Sequence, residues 1–99
     1  MHPFLYQLYT SKLGATMAKC DKLLRKARNN SAGLRFAELE KLAECYGFTL
    51  RRVTGSHHIY RAEGRPERLV AQPLKGGKAK EYQVVQMLDI IDTFSNEES

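Results

Sequence analysis

The chain has 99 residues, with 16 Lys and Arg against 11 Asp and Glu, a net charge of +5, and this length fits one small domain with a modest core. Cys20 and Cys45 stand far apart with no CxxC spacing, which gives little support to a disulfide framework or a structural zinc site and points to a reducing, cytoplasmic setting. No apolar run approaches the roughly 20 residues that span a bilayer, so neither a membrane span nor an export signal is expected.

Charge is spread unevenly. Residues 1–35 carry seven basic residues and one acid, residues 36–80 nine and five, and residues 81–99 five acids and no base. An anionic partner such as nucleic acid therefore fits the first four fifths of the chain and not its end. Residues 1–16 show no clear helical or strand period and Met17 opens a stretch that reads like a natural start, so residues 1–17 are expected to form an N-terminal extension. A single domain is expected over residues 18–99, led by a basic helix over 18–30 whose thin apolar edge is Leu23, Leu24 and Ala27 and which ends at "NNSAG". Phe36, Leu39, Leu42, Ala43 and Tyr46 then recur at steps of three and four, one face of a helix, with Gly47 as its stop.

"FTLRRVTG" and "SHHIYRA" read as two strands of a hairpin turning at Thr54 and Gly55. "EGRP" is another turn, residues 67–74 a third strand ended by Pro73, and "KGGKAK" a flexible basic loop. Val84, Met87, Leu88, Ile91 and Phe94 mark a last helix, its apolar face broadened by Val85 and Ile90. The order is helix, three antiparallel strands, helix, after the extra basic helix.

The adjacent histidines of "TGSHHIYR" are the chemical feature. Neighbouring strand side chains leave on opposite faces, so His57 and His58 cannot meet one metal ion or one reacting atom; one should face the helices or the sheet's edge, the other solvent. Zinc needs three or four ligands, and none is expected. Both can be ordinary strand histidines beside a turn. An imidazole with a pKa near neutrality can also take a proton from a ribose 2′-OH or return one to a leaving 5′-oxygen. Gly55 lets backbone approach a phosphate and Ser56 can donate a hydrogen bond to it, although both are also plain turn residues. Arg51 and Arg52 before the turn and Lys75, Lys78 and Lys80 in the loop are candidate RNA and phosphate contacts, and the last helix's N-terminal N–H groups can hold an anion. A solvated basic face is the alternative. Tyr60 can stack on a base or pack against a helix.

The run from about Lys19 to Asp92 resembles the HicA (YcfA-like) family of small bacterial toxins, through "LRFAELEKLAECYGF", "LRRVTGSHHIY", "RLVAQPL" and "GKAKEYQVVQMLDII". The resemblance implies an α+β fold like a double-stranded RNA-binding domain: two helices on one face of a three-stranded antiparallel sheet, α-β-β-β-α, here with an extra N-terminal helix. It also implies an mRNA interferase, a metal-independent ribonuclease of a type II toxin–antitoxin system that stops translation and is silenced by a HicB-type antitoxin. The family's catalytic histidine follows Gly and Ser, which carries over to His57, with His58 the second candidate because some members hold it one place later. RNA and the antitoxin are then the partners, with no cofactor and no membrane. A non-catalytic RNA-binding module of the same fold is the competing reading.

Overall fold

The protein is described by a computed structural model that covers residues 18–98; the expected extension, residues 1–17, lies outside the described residues. Helix α1 spans residues 18–29, and a short 3-10 turn at Ser31–Gly33 leads into α2 (Phe36–Cys45). Three strands follow, β1 (Phe48–Thr54), β2 (His57–Ala62) and β3 (Arg68–Ala71), and then α3 (Glu81–Glu98). The strands pair antiparallel in the order β1-β2-β3. This is the expected α+β arrangement, α-β-β-β-α with a helix added in front.

Each helix buries the stripe that its spacing marks. α2 buries Leu39, Leu42 and Ala43, with Phe36 and Tyr46 half-buried beside them, and it stops where Gly47 takes a φ of 84°, a left-handed conformation that favours glycine. α3 buries Val84, Met87, Ile90 and Ile91, while Val85 is 42% exposed and lies on the solvent side rather than broadening the stripe. From the sheet, Phe48, Tyr60, Ala62, Leu69 and Ala71 complete the core. Each large apolar side chain so buried contributes roughly 1.5–3 kcal/mol. The Tyr60 hydroxyl donates to Glu40 Oε2, so this tyrosine packs against α2 and is not offered to a base. Burial first, then the Glu40 hydrogen bond and the charges of Glu40 and Glu44, raise its phenol well above the ordinary value.

α1 adds Ala27 to the core, with Leu23 and Leu24 packed against it. Lys26 Nζ meets Glu38 at 2.7 Å and Arg28 meets Asp92 at 2.9 Å, tying α1 to α2 and α3. Burial pushes the Glu38 carboxyl up, but the hydrogen bonds from Lys26 and the Arg35 N–H, with both positive charges, outweigh it and hold the group below its usual range. Cys20 and Cys45 form a disulfide, which corrects the expectation from their spacing. The reason is tertiary: α1 packed along α2 brings their Cα atoms to 6.0 Å, inside the range a disulfide spans, and sequence spacing carries no trace of it. No helix among the described residues is long and apolar enough to cross a membrane.

Two further expectations change. β3 ends at Ala71, three residues short of the expected strand end at Leu74: Ala71 pairs with His58, β2 begins at His57, and the chain beyond runs past the hairpin turn, with the Gln72 N–H going to the Gln83 side chain at 2.8 Å. The "KGGKAK" loop is stitched down rather than flexible. Phe36 N–H donates to Gly77 O, Ala79 N–H to Leu34 O and Leu74 N–H to Lys78 O, and Ala79 is buried. Gly76 and Gly77, with φ of 85° and 81°, permit the tight path.

Candidate active site

The hairpin turn is two residues, Gly55 and Ser56, between the paired Thr54 and His57. Gly55 takes a φ of 61°, which a side chain disfavours. From there the pleat separates the histidines. His58 pairs with Val53 on one side and Ala71 on the other, and it shares the helix side of β2 with the buried Tyr60 and Ala62. His57 leaves on the open side, exposed, in line with Ile59 and Arg61.

The two imidazoles therefore have different surroundings. The His58 ring stands edge-on to Phe36, with centroids 5.0 Å apart, and its Nδ1 is 3.2 Å from the Ser56 carbonyl oxygen. A carbonyl only accepts, so in neutral His58 this contact assigns the proton to Nδ1 and leaves the Nε2 lone pair bare. The Ser56 hydroxyl accepts a 2.9 Å hydrogen bond from Gln72 Nε2, and its own proton remains available to donate.

The basic residues fall into separate places. Arg35, at the N-cap of α2, forms an isolated bridge with Lys78 and donates from its guanidinium to Gly76 O at 3.3 Å. The loop carrying the exposed Lys75 and Lys78 thereby sits against the start of α2, one residue from the Phe36 that touches His58. Ser56, His58, Phe36, Gln72, Arg35 and the Lys78 loop are thus joined by a continuous set of contacts. Arg52 is elsewhere: a bulge between Leu50 and Arg52 sets it opposite Ile59, on the open side with His57, and Arg51 is the extra residue of that bulge on the edge strand. Lys80 lies over the Tyr82 ring at 5.8 Å. The α3 N-terminus already carries Glu81 in its first turn, hydrogen-bonded to Ser31, so that end is less suited to an anion than the sequence suggests.

Phe36 is expected on the apolar face of its helix and not at the site, and Arg35, Gln72 and Gln83 are not among the expected site residues. Only Gln83 left a signal: it stands four residues before Met87, a polar residue on the buried stripe of α3. Among the described residues no group of three or more His, Cys, Asp or Glu side chains is placed to hold a metal ion.

Comparison with known proteins agrees with the resemblance. The model of the family described as HicA toxin of bacterial toxin–antitoxin matches residues 36–92, from the first residue of α2 into α3. Helix α1 precedes the matched region. No curated protein and no solved structure matches the chain.

Proposed function

The chain belongs to the HicA toxin family, and from that premise we propose that this toxin is a ribonuclease that cleaves mRNA, with His58 as its proton-transfer group. The observation that carries the reading is the His58 environment. Its Nδ1 faces a backbone carbonyl, an aromatic ring limits its rotation, and Nε2 is left as a base at the basic end of the domain. Nε2 takes the proton of a ribose 2′-OH, the O2′–P bond forms as the P–O5′ bond breaks, and the leaving oxygen takes a proton from water. The Ser56 hydroxyl, with Gly55 beside it, can donate to the phosphate, and Lys75, Lys78 and Arg35 offset its charge. The exposed His57 has no such orienting contacts among the described residues, so it is the second candidate, and Arg51, Arg52 and Lys80 are outer contacts for the RNA strand.

The nucleophile belongs to the RNA, so the chemistry asks for no metal, and a cytoplasmic site of action rests on the substrate alone, since the Cys20–Cys45 disulfide removes the argument from cysteine spacing. The cognate partner is a HicB-type antitoxin, whose carboxylates would meet the basic tip and whose binding would weaken as salt rises. The test is incubation with an RNA oligonucleotide and its all-deoxy counterpart, each with and without EDTA. Cleavage of RNA alone, unchanged by EDTA, is expected. Loss of cleavage in EDTA overturns the metal-free mechanism, and binding without cleavage makes the protein an RNA-binding module.

A further inference from the structure

Gln83 is the only buried polar residue in a core otherwise made of apolar side chains among the described residues, at 2% exposure. An amide in such a place costs stability unless its hydrogen bonds are made, and a leucine or methionine there would fill the space without that cost. Its Oε1 accepts the Gln72 N–H at 2.8 Å, and its Nε2 reaches the Tyr82 hydroxyl at 3.4 Å. The first contact holds the Gln72 backbone just past Ala71, the residue paired with His58. From that anchor the Gln72 side chain reaches across to the hairpin turn and donates to Ser56 Oγ at 2.9 Å. Ser56 in turn presents its carbonyl oxygen to His58 Nδ1 at 3.2 Å.

We propose that Gln72 is a positioning residue for His58, anchored by the buried Gln83, so that the chain Gln83–Gln72–Ser56 sets the tautomer and orientation of the imidazole. The turn has only two residues and sits at the end of the ladder, where fraying is easiest. Without the Gln72 contact, Ser56 loses its tie to the β3 side, and the carbonyl that selects Nδ1–H is held only by the Thr54–His57 pairing at the end of the ladder. Either orientation of the Gln72 amide keeps this contact, because the serine hydroxyl both donates and accepts. Phe36 restrains the ring from the α2 side, and Gln72 acts from the β3 side through the turn. In the free protein the Nδ1–H tautomer of His58 is therefore the dominant neutral form, which is the form a base acting through Nε2 requires.

This inference rests on the reading of His58 as the proton-transfer group, and two separate readouts keep the two apart. The first is the ring 15N chemical shifts of His58 in the free protein, which report the tautomer with no substrate present. The second is the pH profile of RNA cleavage. Gln72→Met keeps length and packing and removes the amide; Gln83→Leu removes the anchor, with circular dichroism confirming its fold. Both variants should shift His58 toward the Nε2–H tautomer, and both should lower kcat roughly three- to tenfold, the worth of one orienting hydrogen bond, with KM unchanged. His58 nitrogen shifts that match the parent in Gln72→Met overturn the positioning role, whatever the activity. A tautomer shift in a protein whose parent form cleaves no RNA leaves the positioning role standing and overturns the ribonuclease reading.

Discussion

On the helix side of β2, His58, Tyr60 and Ala62 meet Phe36, Glu40 and the apolar core, whereas on the open side His57 and Arg61 are exposed and Ile59 lies between its strand partners Arg52 and Val70. One strand of six residues thus carries a constrained row and an unconstrained row, alternating residue by residue. Orientation is available only on the first. Two adjacent histidines of the same intrinsic chemistry differ because one pleat puts an aromatic ring and a fixed carbonyl beside His58 and, among the described residues, neither beside His57.

The sharpest stability contrast should come from replacing one residue of each row. Tyr60→Ala removes a fully buried ring and leaves Glu40 without its donor, and it should cost about 3–5 kcal/mol in chemical denaturation. Ile59→Ala, on the half-buried open row, should cost about 1 kcal/mol. Similar costs for the two would mean that the open face is covered in solution.

The Cys20–Cys45 disulfide tests whether the site depends on α1. The bond closes a loop of 25 residues, so Cys20→Ser with Cys45→Ser should lower stability by about 3 kcal/mol. The His58 surroundings come from α2, β2 and the loop after β3, and the His58 and Phe36 resonances should therefore hardly move. Large shifts at the hairpin would show that α1 supports the site as well as the core.

A smaller effect follows from the Tyr60 hydroxyl. Its pKa is raised on folding by burial and then by Glu40, so the stability held by the neutral phenol is full below its unfolded value near 10 and is lost as pH rises beyond that. Tyr60→Phe should cost about 1 kcal/mol at neutral pH and should flatten the alkaline limb of the stability curve. An unchanged alkaline limb would place the titration on another group.

Much of this arrangement could be read from the chain. The helical stripes of α2 and α3 and the hairpin at Gly55 are local patterns with their own periods, and the pleat follows from a strand at His57 and His58 whatever surrounds it. Which histidine turns toward the helices could not be read, because that depends on which face of the sheet α2 covers. The same is true of the Phe36 contact, the Arg35–Lys78 bridge and the disulfide, all of which join segments placed by tertiary packing. The end of β3 has a related reason: Ala71 already lies opposite His58, one residue from the start of β2, so the strand stops where its partner turns.

The most direct test of the account is the RNA cleavage rate of His57→Ala and His58→Ala, measured side by side on folded proteins at neutral pH. Loss of roughly 10²- to 10⁴-fold in His58→Ala is expected, since one general acid–base group contributes that much, with His57→Ala within about threefold of the parent. The reverse order, with His57→Ala inactive and His58→Ala unimpaired, would contradict the assignment and move the chemistry to the open face of the sheet.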